Sequence, residues 1–208
     1  MLDPGTIQIV GAVLFLAPVA GAAAVGRSAF GPRNRTVLSR HPARRVEAVW
    51  LGAIAVVQLW TLGVALLPGW FYVAPSLGDF PGSTAVQVAG LLLWAGAGGL
   101  AVWAIRTLGG FMTVSVQIVE GQPVVQEGPY AFVRHPTYTA VAAFAFGLAL
   151  IFLSVPLLAL SLLLTVLAGY RARLEEDFLR SPQAFGGAYE AYMARTGRFL
   201  PRIRRAEP

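Results

Sequence analysis

The chain has 208 residues, 56% of them hydrophobic and only 12% charged, about half the charged share of a soluble domain. All 16 basic residues are arginine and the net charge is +6, but the arginines sit in gaps between apolar runs, which suits an anionic membrane surface and excludes a nucleic-acid-binding stripe. No cysteine is present and there are two histidines, which excludes disulfides, thiolate sites and cysteine nucleophiles and leaves no metal site to expect.

A helix needs about 20 apolar residues to cross the hydrocarbon layer. Thr6 to Val25 is the first such run; it lacks a basic leader, since only Asp3 is charged before Arg27, so it reads as a retained span. Val46 to Leu67, with Glu47 at its edge, is the second, and Ser83 to Ile105 the third. Tyr138 to Tyr170 is too long for one straight span and is interrupted by Ser154-Val155-Pro156, which predicts two helices joined by a tight turn. The expected fold is therefore an all-α integral membrane protein of about five transmembrane helices, the last two forming a tight hairpin. Small residues at 21–26 and Ala95-Gly96-Ala97-Gly98-Gly99 predict close helix approach.

Five spans place every arginine on one face: six between spans one and two, Arg106 and Arg134 between three and four, and eight from Arg171 onward. The positive-inside rule makes that face cytoplasmic in an inner or plasma membrane, with the N-terminus outside. Trp50, Trp70, Phe71 and Tyr72 fall near span ends, where aromatic belts lie. Residues 1–105 then form an N-terminal unit of three helices. Residues 106–208 hold the last helix pair and the polar segments around it.

Those segments carry the chemistry. Before span four the chain reads Gln122-Pro123-Val124-Val125-Gln126-Glu127-Gly128-Pro129-Tyr130, then Arg134-His135-Pro136-Thr137-Tyr138. Val114 to Val119 suits an extended segment, 121–123 and 127–129 are turns, and Pro136 fits a helix's first turn, whose free amides seat a carboxylate. After span five come Arg171 and Glu175, one helical turn apart, followed by Glu176 and Asp177. A solvated juxtamembrane helix with a surface ion pair explains this second segment taken alone. A hairpin between the two segments brings them together in space.

Gly-Pro-Tyr-x-x-x-Arg-His-Pro-x-Tyr (128–138), Arg-x-x-x-Glu-Glu-x-x-Leu (171–179), Phe-Gly-x-x-Tyr-x-x-Tyr (185–192) and Phe-Leu-Pro (199–201) together resemble the isoprenylcysteine carboxyl methyltransferase and phospholipid methyltransferase superfamily. The resemblance covers about residues 105–203. The isolated triplet Arg40-His41-Pro42 lacks the flanking motif and reads as a coincidental copy in a basic loop. The resemblance implies S-adenosylmethionine as cofactor and S-adenosylhomocysteine as product. It implies cofactor binding by Gln122, Pro123, Val124 and Val125, by Tyr130, by His135, Pro136, Thr137 and Tyr138, and by Glu175, with Gln117 a looser match. It places Arg171 at the acceptor. Ala140 stands where the family often has glycine.

An arginine fork fits a carboxylate or a phosphate equally well, which leaves two acceptors: the carboxylate of an isoprenylcysteine-type molecule, placed first, and the amine of a phospholipid. A carboxylate needs no base. An amine loses a proton, and Glu176 is then the candidate base; its structural alternative is pairing with Arg173 or Arg134. Two other classes are an NADPH-linked sterol-type reductase and a non-enzymatic membrane module. The partners expected are membrane lipids and a lipid-like or prenylated acceptor, with no nucleic acid.

Overall fold

A computed structural model describes residues 2–29, 36–40, 44–73, 76–113 and 117–202. Five long helices lie close to the apolar runs: α1 (Pro4–Ala29), α2 (Arg44–Leu66), α3 (Ser83–Leu108), α4 (Pro136–Ile151) and α5 (Val155–Leu179), followed by a short α6 (Gly187–Arg195). Among the described residues three helices are long and apolar enough to cross a membrane, Arg45–Leu66, Ser83–Phe111 and Val155–Leu179. Gly5–Gly21 and Pro136–Ile151 are apolar but shorter.

Each helix begins and holds for a local reason. Asp3 caps α1 by accepting hydrogen bonds from the amides of Gly5 and Thr6, both at 3.0 Å. Pro18 lies inside α1 and removes the amide that would have bonded the Leu14 carbonyl. Gln58 of α2 reaches this region, donating to the Phe15 carbonyl at 2.8 Å and the Leu14 carbonyl at 3.4 Å. The defect in one helix thereby becomes a joint to its neighbour, as polar side chains do between helices in lipid. Pro156 sits in the first turn of α5 behind the cap residue Ser154, whose hydroxyl accepts from the Leu157 amide. It starts that helix rather than breaking one from within.

The chain reverses between α4 and α5 through Phe152, Leu153 and Ser154, all buried, with Leu153 at φ 49. The 76–77 segment braces this turn, since the Leu77 amide donates to the Leu153 carbonyl at 2.9 Å. Tyr72, fully buried, donates to the Leu2 carbonyl at 3.3 Å, while Gln87 donates to the Ile151 carbonyl at 2.8 Å. The start of α1, the α2–α3 connection and the α4–α5 turn therefore share one end of the bundle. The start of α2, the end of α3, the start of α4 and the end of α5 share the other.

Three expectations are corrected. The fold is not purely helical: β1 (Val37–Arg40) pairs antiparallel with β2 (Gln117–Val119), Arg40 opposite Gln117 and Val37 opposite Val119. Its two strands come from different connections, so neither the pairing nor its partner is visible locally. Close helix approach occurs elsewhere than expected. A Cβ on Gly90 of α3 would lie 2.8 Å from the Gly147 carbonyl oxygen of α4, whereas at Gly96, Gly98 and Gly99 it would meet nothing within 4 Å. Two of the four supposed belt aromatics point inward, Trp50 being 5% exposed and Tyr72 0%, while Trp70 is 77% exposed. His41 and Pro42 of the stray triplet, and residues 114–116 of the predicted extended segment, lie outside the described residues.

The core joins Ile7 and Leu14 of α1, Val57 and Val64 of α2, Leu148 and Phe152, and Leu157 and Leu164 of α5. The outer faces stay apolar: Leu16, Leu59, Leu92, Leu162 and Val166 are all more than half exposed. Apolar surface of that extent has no partner in water and suits contact with lipid.

Candidate functional site

At the arginine-rich end a cavity of about 300 Å³ opens between the loop preceding α4 and the α5–α6 segment, within the range of small-molecule sites. On the loop side it is lined by Gln117, Gln122, Pro123, Val124, Val125 and Tyr130. The loop is shaped by its turns. Gln122 caps one of them, its side-chain oxygen accepting from the Val119 amide at 3.1 Å. Gly128 at φ 54 opens the 3₁₀ turn that carries Tyr130. Helix α4 contributes Thr137 and Tyr138 to the wall, with His135 just before its first turn; α5 contributes Arg171 and Glu175. Pro136 is buried behind the wall and shapes the start of α4.

One hydrogen-bonded array spans the two helices. Arg171 Nε donates to the Tyr138 hydroxyl at 2.7 Å, and that hydroxyl donates to Glu175 Oε2 at 2.6 Å. The Arg171 guanidinium carbon also lies 5.6 Å from the Tyr138 ring centroid. The Tyr138 hydroxyl thus stands between two residues that one helical turn had suggested as a surface ion pair. Both belong to a cavity wall, and Arg171 is 6% exposed.

His135 stacks on Tyr138, with centroids 5.2 Å apart and planes 7° from parallel. Its Nε2 lies 3.1 Å from Glu176 Oε1 and its Nδ1 3.9 Å from Glu175 Oε2. With both ring nitrogens turned to carboxylates, the amides of the first turn of α4, rather than the imidazole, are the better seat for a carboxylate ligand.

Glu176 is not on the cavity wall. It is 1% exposed, and it accepts from Arg134 Nε at 2.8 Å and from Arg198 Nε at 3.0 Å besides its contact with His135. Such a buried and fully engaged carboxylate does not fit a proton acceptor at the cavity. Its geometry is the structural alternative, with Arg134 as partner and with Arg198 where Arg173 was considered. The C-terminal segment completes this lock. Arg134 and His135 donate their backbone amides to the carbonyls of Gly197 and Arg198, at 2.8 and 3.1 Å. The Tyr192 hydroxyl donates to the Tyr130 carbonyl at 2.7 Å.

Several wall residues carry no local sign in the sequence of their place. Trp50 and Leu51 reach the cavity from α2, and Trp50 packs edge-on to Tyr138 at 5.3 Å. An aromatic at a span end carries no local sign that it turns inward. Phe185, Tyr189 and Tyr192, which the sequence marks only as letters of the 185–192 motif, line the far side. Burial raises the phenol pKa values of Tyr130 and Tyr189 and pushes that of Tyr192 up to about 12. All three present neutral, flat surface at ordinary pH. Among the described residues no group of acidic or histidine side chains is arranged to hold a metal ion.

This geometry assembles the motif residues, and comparison with known families names the pattern. Residues 85–184 match the phospholipid methyltransferase family. The match runs from the start of α3 to just before Phe185, so it covers α4, α5 and the loop between α3 and α4. No curated protein matches the chain. Phospholipid methyltransferases are membrane enzymes that transfer methyl groups to lipid-like acceptors, and the apolar helices here agree with an integral membrane protein of that kind.

Proposed function

We propose that the protein is an S-adenosylmethionine-dependent membrane methyltransferase whose lipid-like acceptor meets Arg171. The observation that carries the reading is the array of Arg171, Tyr138 and Glu175 on the wall of a cavity lined mostly by the matched family segment. The residues present suit the cofactor: Tyr130, Val125 and Tyr189 offer flat apolar surface for an adenine, Glu175 accepts from hydroxyl or ammonium donors, and the start of α4 faces a carboxylate. When bound, S-adenosylmethionine would supply a methyl group on a sulfonium, for transfer to an acceptor lone pair with neutral S-adenosylhomocysteine as the leaving group.

The chain's own contribution is alignment. Tyr138 is held by stacking on His135 and by two hydrogen bonds, so it ties the cofactor acid Glu175 to the acceptor arginine Arg171. Such fixing of donor relative to acceptor is a large part of catalysis in a bimolecular transfer. The acceptor enters from the lipid and the cofactor from the cytoplasm, with residues 1–105 as the acceptor side and the C-terminus inside. Two acceptors remain in view. An isoprenylcysteine-type carboxylate matches Arg171 and needs no base, which agrees with the engagement of Glu176. A phospholipid amine is favoured by the family that residues 85–184 match.

Purified protein in detergent, given methyl-labelled S-adenosylmethionine with farnesylcysteine and aminophospholipid acceptors, tests the reading. Label should enter a lipid-soluble product, and Arg171→Ala should lower turnover while leaving cofactor affinity nearly unchanged. Failure to bind the sulfonium, or binding of NADPH in its place, would overturn it.

A further inference from the structure

Helix α2 lies outside the family match, yet it sends a charge toward Arg171 on the cavity wall. Glu47 Oε1 is 3.8 Å from Arg171 Nη2, too long for a hydrogen bond and close enough for attraction. That oxygen is buried and accepts no hydrogen bond from the described residues. Glu47 is one helical turn before Trp50 and Leu51, hence on the same face of α2, and these two line the cavity, as does Arg171. A buried carboxylate oxygen without a donor is costly. One beside a binding cavity is a place where a ligand's N–H groups belong.

We propose that Glu47 is a specificity-determining residue that makes the acceptor subsite two-signed, selecting a head group with an amine beside an anionic group. The inference rests on the methyltransferase reading and refines it. Arg171 takes the anionic group, and its planar fork suits a phosphate. Glu47 takes the amine, whose N–H donors satisfy Oε1, and its carboxylate receives the proton that the amine gives up before its lone pair bonds the methyl carbon. An acceptor offering only a carboxylate to Arg171 leaves Oε1 unsatisfied and adds a like charge near it, which disfavours that acceptor. Glu176 does not substitute for Glu47, since both its oxygens are engaged by Arg134 and Arg198.

Glu47→Gln keeps the shape and removes the charge. With wild type and variant in detergent, labelled S-adenosylmethionine affinity is measured first, then KM and kcat for a phosphoethanolamine lipid and for farnesylcysteine. The expected result is an unchanged cofactor affinity and a KM for the phosphoethanolamine lipid raised about tenfold or more, the scale of one charge-assisted hydrogen bond. The KM for farnesylcysteine should stay level or fall. Glu47→Asp should recover part of the amine preference, which a purely structural role would not produce. Equal effects on both acceptors, no effect on either, or a wild type that methylates only the carboxylate would overturn the inference and leave the methyltransferase reading standing. A wild type that binds no sulfonium removes both.

Discussion

At the scale of single residues, the two adjacent acids on α5 divide the work by the way each faces. Glu175 looks into the cavity and Glu176 looks away into a cage of Arg134, His135 and Arg198. Glu175→Ala and His135→Ala should each weaken S-adenosylmethionine binding more than about tenfold, since each removes a charged or stacking contact at the site. His41→Ala should leave it unchanged, which equilibrium binding of labelled cofactor would measure. Glu176→Ala should instead destabilise the fold, because deleting one partner of a buried ionic cluster costs about 3–5 kcal/mol. Thermal melting in detergent reads that loss. A large fall in kcat at unchanged melting temperature would return Glu176 to a chemical role. The motif letters were legible in sequence; the division between Glu175 and Glu176 was not, because adjacent helical positions point about 100° apart and only packing says which faces the cavity.

Among the elements, the α3–α4 contact decides where the site's loop is anchored. Gly90 and Gly147 let these two backbones meet, and a Cβ at Gly147 would approach the backbone nitrogen of Trp94 to 2.9 Å. Gly90→Val should force the helices apart at a cost of about 1–3 kcal/mol, lowering the melting temperature and cofactor affinity together. Gly99→Ala should be neutral or mildly stabilising, since a Cβ there meets nothing within 4 Å. Glycine content alone pointed to 95–99. Composition marks where helices can approach, while the facing of each glycine depends on the rotation of α3, which its neighbours set. The same holds for the strand pair: Val114 to Val119 read as extended, but β1 has meaning only through β2.

For the whole molecule, the described arginines outside α1 cluster at the cavity end, and the connection from α2 to α3 carries only Asp79. The proposed topology puts the cavity end in the cytoplasm. With no native cysteine, single cysteines report this directly. Gln183→Cys should react with a membrane-impermeant maleimide in inside-out vesicles and Asp79→Cys in right-side-out ones. The reverse pattern would place the site on the outer face. Labelling of both positions from one side would break the five-span arrangement.

The sequence by itself determined the solvent and the chemistry. Long apolar runs exclude a water-soluble fold because their outer faces find no polar cover, and the composite motif from Gly128 to Pro201 carried the methyltransferase resemblance. Tertiary structure alone decided which side chains share a wall. Trp50 and Glu47 lie far from Tyr138 and Arg171 along the chain, and no local pattern encodes that they meet. Side-chain period tells which residues lie on one stripe of a helix; only the packing of five helices tells what each stripe faces.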